Sequence, residues 1–275
     1  MNVVQHLTEI VAALNELKVR HLVMGGHAVR YYGFNRDTTD HDLHIPAAAG
    51  EQLSAILSKT TLFAAGIPVE AATWRGADFR RFVLGVLPDG KEELLEFWIH
   101  NHLLDEFESL YQRREEGYYG GIKVAFLSLP DLIRSKETER EQDWQDILFL
   151  EAILDQRNVT AAQRSGDAVS SLSALRSVRG LELAVAAKLL DSPPNVEAAL
   201  KAAGNPITQA FLLPFAPQLE PQLAANDCLP TPFRRRLTQE PPCSSRHLAF
   251  VEAVRLRYKH AMQEIDQQEK AQRRK

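Results

Sequence analysis

Cysteine is nearly absent from the chain: Cys228 and Cys243 are the only two in 275 residues. Two thiols build neither a disulfide scaffold nor a four-cysteine zinc site, and such sparse usage suits a reducing cytoplasm. Long apolar runs are missing as well. No stretch approaches the roughly 20 residues that a membrane helix needs, so no membrane partner is expected. The first 17 residues carry Glu9 and Glu16 among their apolar positions. They lack the basic start and the small-residue cleavage site of a secretory signal. Nor is there an excess of positive charge. The formal net charge is −4 and the isoelectric point about 6.2, which argues against a generic polyanion binder.

What is present suits a buried core. Apolar residues make up 45% and charged residues 25%, and the length is comfortable for two domains. Residues 156–275 hold 17 basic and 11 acidic side chains, a net +6, whereas residues 1–155 hold 15 and 25, a net −10. Past Asn158 Ser and Ala become common, prolines cluster and strand signals vanish. The domain border is therefore placed at 157/158. The expectation is an α/β (α+β) domain over 1–157, a small mixed β-sheet flanked by helices. A mostly α-helical C-terminal domain over 158–275 follows, ending in a frayed basic tail. No internal repeat is visible.

Periodicity supplies the elements. Val3, Leu7, Ile10, Leu14 and Leu17 predict an amphipathic helix over 3–18. His21 to Met24 reads as a buried strand, Gly25-Gly26 as a turn, and His27 to Tyr32 as a helix stopped by Gly33. The stretch 40–45 alternates as a strand that Pro46 closes. Residues 52–59 read as helix. Strands over 79–87 and 93–99, joined by Pro88-Asp89-Gly90-Lys91, predict an antiparallel hairpin. A second small β unit surrounds Gly120-Gly121. Ser128-Leu129-Pro130-Asp131 resembles a capped helix start, with helices over 130–139 and 141–155. Farther on, Leu172–Leu190 and Arg246–Ile265 are the best helices, with Ser244 or Ser245 as N-cap of the last.

Chemistry concentrates between His21 and Ile45. Glycines between a strand and a helix let backbone approach a ligand closely, and a helix start seats phosphate oxygens. Asp40 and Asp42 stand two apart on a strand, so both face one way. Convergent hard oxygens are what Mg²⁺ requires, with substrate phosphates completing its shell.

This ordered combination resembles the nucleotidyltransferases of the DNA polymerase β superfamily, and within them the bacterial minimal and AbiEii-like group of toxin–antitoxin and phage-defence systems. The matching residues are Gly25-Gly26, then Asp40-His41-Asp42 within Arg36-Asp37-Thr38-Thr39-Asp40-His41-Asp42. Lys136, Arg140, Asp143 and Asp146 follow in the order that group uses. The resemblance covers about 20–150 and does not extend to 160–275. It implies transfer of a nucleoside monophosphate from an NTP to a hydroxyl acceptor, with Mg²⁺ or Mn²⁺ held by Asp40, Asp42 and a third acid. The candidate third acid is Glu96, where the family usually has Asp; the alternative is the outward residue of a strand with one wet face. Gly25 and Gly26 would hold phosphates, Arg36 or Thr38 would steady the triphosphate, Lys136 would offset its charge, and Asp143 would join the nucleotide site.

Plainer roles stand beside these. Arg36 pairs equally well with Asp37. Lys136 to Asp146 at their spacing also describe a salt-bridged helix surface. His27, His41 and His44 read as packing or surface residues, because His41 must face away from Asp40 and Asp42. Trp98 reads as core, and Arg234-Arg235-Arg236 as a solvated loop. The acceptor stays open between RNA, protein and small molecule, with RNA such as tRNA favoured by the basic C-terminal half. A cognate toxin or antitoxin is a possible partner. The alternatives are a degenerate binding module or antitoxin, and a metal-dependent hydrolase.

Overall fold

The computed structural model describes residues 3–61, 79–222 and 241–273. Chain contacts divide it into two units, one comprising the residues up to Lys136 and those from Gln272 on, the other Glu137–Ala271. The expected border at 157/158 falls inside a continuous helix, Glu141–Ser165, which ends only where Gly166 adopts φ +80°. The change of texture in the sequence thus marks the second half of that helix. The contact boundary lies before its first turn.

The first unit is a six-stranded mixed sheet with helices. Its strands are β1 (Leu22–Val23), β2 (Asp40–His44), β3 (Phe79–Val86), β4 (Glu92–Trp98), β5 (Glu115–Tyr119) and β6 (Ile122–Phe126), in spatial order β3-β4-β2-β1-β6-β5. β4 runs parallel to β2 and β6 parallel to β1; the other pairs are antiparallel. The helices are α1 (Val3–Glu16), α2 (Gly25–Tyr31), α3 (Leu53–Ser58), α4 (Phe107–Gln112) and α5 (Leu129–Ser135). The apolar face of α1 is buried through Leu7, Ile10, Val11 and Leu14. β1, at two residues, is fully buried, and both its edges are paired.

The expected hairpin is present, and the second β unit, around Gly120-Gly121, is an antiparallel pair as well. In the β3–β4 turn Gly90 takes φ +82° and Asp89 Oδ1 accepts from the Lys91 N–H at 3.2 Å. Ser128 caps α5, its Oγ accepting from Asp131 N–H at 3.3 Å. One local expectation changes: Gly25 and Gly26 are the first residues of α2, so the chain passes from β1 into helix with only Met24 between.

Among its described residues the second unit is helical throughout: α6 (Glu141–Ser165), α7 (Ala168–Ser173), α8 (Val178–Ala186), α9 (Pro193–Ala202), α10 (Pro206–Leu212) and α11 (Ser245–Arg273), with short 3₁₀ turns. Its core includes Leu172, Leu181, Val196, Leu200, Phe211, Val251 and Val254. The single helix expected over Leu172–Leu190 is two. Ser177 breaks it by capping α8: its Oγ accepts from Gly180 N–H at 2.9 Å and donates to Asp155 Oδ2 at 2.6 Å. Two of the proline clusters turn out to start helices. Pro193 and Pro206 occupy first turns, where the missing N–H costs nothing. Ser244 serves as the cap of α11, accepting from His247 N–H at 3.1 Å.

Candidate functional site

β2 carries the site. Asp40 and Asp42, both half-buried, alternate with His41 and Leu43, which are fully buried. Beside β2 runs β4, with Glu96 opposite Asp42. On the far edge of β4 is β3, with Arg81 opposite Glu96. One row across the sheet therefore reads Arg81, Glu96, Asp42, and such cross-strand neighbours share a face. Arg81 Nε donates to Glu96 Oε1 at 2.6 Å. A bulge between Val83 and Gly85 sets this register. Without the extra residue, Glu96 would face Phe82.

The two glycines close on the same face. The Asp42 carbonyl accepts from Met24 N–H at 2.9 Å, which brings the start of α2 against β2. Gly25 has φ +60°, and a Cβ there would lie 1.8 Å from Asp42 Oδ2. A Cβ on Gly26 would lie 2.3 Å from Thr38 Oγ1. Thr38 in turn donates to the Asp40 carbonyl at 3.3 Å, and Thr39 to Asp40 Oδ1 at 3.1 Å. Arg36 lies half-buried in this loop, its Nε donating to the Asp37 carbonyl at 3.3 Å.

Charge is concentrated here. Burial first, and then the charge of Glu96, push the Asp42 carboxyl up to about 7. Lys136 pulls it down and Asp40 adds a further push. Lys136 is buried at the end of α5, so the structure brings it within electrostatic reach of Asp42.

The Lys136–Asp146 series does not share one helix. α5 ends at Ser135, and α6 begins at Glu141 with Arg140 at its N-cap position. Asp143 belongs to the second unit, where it accepts from Thr138 Oγ1 at 2.7 Å and lies 3.9 Å from Arg140 Nε. Arg234, Arg235, Arg236 and Cys228 lie outside the described residues. Sequence reasoning missed Arg81, and read Trp98 as core where the structure leaves it half-buried on the face of β4 that carries Glu96. Two arginines on a strand facing an acidic one were a signal for the first, but the bulge decides which of them meets Glu96.

No family model matches the chain, and no curated protein is significantly similar to it. Among solved structures, an antigenic nucleotidyltransferase-like protein from Paracoccidioides brasiliensis aligns at 21% identity and a TM-score of 0.33. The alignment covers 72% of this chain and 93% of that one. The antibiotic-resistance factor ANT(2'')-Ia aligns at 18% identity and 0.31, over 71% and 88%. Both likenesses are too loose to carry an inference about what this chain does.

Proposed function

We propose that the chain is a metal-dependent nucleotidyltransferase. The observation that carries this reading is the side-by-side placement of Asp42 and Glu96 on parallel strands, with Asp40 on the same face of β2. Three carboxylates on one face repel one another, and the Asp42 carboxyl is raised first by its burial and then by the charges of Glu96 and Asp40. A hard divalent cation resolves the repulsion, and an all-oxygen donor set fits Mg²⁺ or Mn²⁺. When bound, such an ion neutralises phosphate charge and orients the attacked phosphorus.

The chain's own residues do the rest. Asp40 and Asp42 hold the cation. Gly25 and Gly26 leave main-chain N–H groups open to phosphate oxygens, and Lys136 with Arg36 or Thr38 offsets their charge. An acceptor hydroxyl attacks the α-phosphorus, the bond to the bridging oxygen breaks, and pyrophosphate leaves. Glu96 takes the hydroxyl proton or joins the metal shell. Basic charge in the C-terminal half favours an RNA acceptor such as tRNA, and a toxin–antitoxin setting accords with the group the motif resembles.

The Arg81–Glu96 pair favours a second reading. With its third carboxylate already engaged, the fold could bind nucleotide without turning it over, as a degenerate module or antitoxin.

Label transfer separates the two. The protein, Mg²⁺ and each α-labelled NTP are mixed with total RNA, with cell protein, or with neither. Label in one pool that disappears with Asp42→Ala is the expected result and names the acceptor class. Metal-dependent NTP binding without transfer in any pool selects the second reading. Transfer at the wild-type rate by both Asp40→Ala and Asp42→Ala overturns the site.

A further inference from the structure

The reverse face of β2 carries a cluster that the transfer reading does not use. His41, set between the two aspartates, points into the protein and is fully buried. α1 delivers His6 to it, and β4 delivers Glu93. His41 Nε2 lies 2.8 Å from Glu93 Oε1, and His6 Nδ1 lies 2.5 Å from the same oxygen. All three ligand atoms lie within 4.8 Å of one another, and none of the residues is more than 8% exposed.

We propose that His6, His41 and Glu93 form a transition-metal site of the zinc class, separate from the carboxylate face. Two imidazoles and one carboxylate are a donor set that zinc takes with a fourth position left for water. Imidazole nitrogen selects against Mg²⁺, which prefers oxygen. The surroundings also suit a ligand histidine. A metal-bound ring uses its other nitrogen to donate to an outer acceptor, and His41 Nδ1 lies 3.1 Å from His27 Nε2. His27 Nδ1 lies 2.9 Å from the Tyr119 hydroxyl, so the outer shell runs on to a polar terminus. Glu93 is a buried carboxylate facing two rings, and a dication there supplies the opposite charge without protonating either ring. Donors at about 2.0–2.2 Å from a tetrahedral ion stand about 3.3 Å apart. Uptake would thus move His6 and Glu93 apart by less than about 1 Å.

The site ties α1 to both strands that carry the acidic row, so it holds the sheet rather than the substrate. This assignment is independent of the nucleotidyl-transfer reading, because its ligands face the other way.

The test uses the untagged full-length chain, stripped with a chelator and titrated with Zn²⁺ and with Co²⁺. One Zn²⁺ per chain is expected, with the intense visible absorption of four-coordinate Co²⁺ and a higher melting temperature on loading. His6→Gln and Glu93→Gln each weaken Zn²⁺ at least tenfold, and Asp42→Asn keeps it. Absence of stoichiometric Zn²⁺ from the loaded wild type overturns the proposal and leaves a hydrogen-bonded cluster in which Glu93 accepts from both rings. Zn²⁺ lost with Asp42→Asn but kept by His6→Gln overturns it in favour of the acidic face. Should the variants fail to fold, the wild-type spectrum decides: weak bands of six-coordinate Co²⁺ count against the site.

Discussion

Gly25 is held by two independent constraints, a positive φ and the Asp42 carboxylate packed against its α-carbon. The first alone costs a non-glycine residue about 1–2 kcal/mol, and the second forces Asp42 aside. Gly25→Ala is therefore expected to lose about 2 kcal/mol or more in urea denaturation. It should also lose metal-dependent NTP binding, which a plain turn glycine would not affect. His21 gives a pH-dependent counterpart. Burial depresses its pKa below 6.5, and its Nδ1 has only the Val19 carbonyl at 3.1 Å. As pH falls below 6.5 the unfolded chain takes a proton that the folded one refuses, so stability drops on acidification until the folded pKa is reached. Between pH 7.5 and 5.5 the wild type should lose stability through this group. His21→Leu should lose less over the same interval, measured by urea titration at both values.

In the second unit, helices are joined by buried charge. Glu151 on α6 is fully buried between Arg176, whose Nε lies 2.6 Å from Oε1, and Arg255, whose Nη1 donates to Oε2 at 2.7 Å. Arg176 also reaches Glu137 at 3.2 Å, and Tyr258 donates to the same carboxylate at 2.9 Å. Two arginines and two glutamates balance, which makes such burial tolerable. Glu151→Gln leaves two guanidinium groups short of a counter-charge and should cost about 3–5 kcal/mol. The loss should appear in denaturant unfolding of the second unit. In the first unit the bulge in β3 has the corresponding role: one extra residue rotates Arg81 onto the face of Glu96.

Across the chain, the acidic first half and the basic second half differ in what they ask of solvent. On the proposed reading, the carboxylate row is a place where stability is given up for binding. Asp42→Asn removes a like charge, so the metal-free variant should melt at or above the wild-type temperature. Saturating Mg²⁺ and NTP at 100 times Kd should stabilise the wild type by about 2.7 kcal/mol and the variant hardly at all. Paired thermal melts with and without ligand check both halves of this expectation. None of the described helices is long and apolar enough to cross a membrane.

Local chemistry was legible without the fold. The period of α1, the hairpin turn at Asp89-Gly90, the caps at Ser128 and Ser244 and the alternation of Asp40, His41 and Asp42 all depend on neighbours a few residues away, and periodicity reports those faithfully. Helix continuity was less legible. Ser177 ends one predicted helix because Asp155, far off in sequence, holds its hydroxyl. Prolines that looked like loop texture start two helices because their fixed φ suits a first turn. The sequence by itself determined which residues bear charge and which way each faces along its own strand. Only the tertiary structure decided that Glu96 lies opposite Asp42, that Arg81 neutralises it, that Gly25 admits the Asp42 carboxylate, and that His6, His41 and Glu93 meet. Each of these depends on strand order and register between distant segments, and one bulged residue is enough to change the partner.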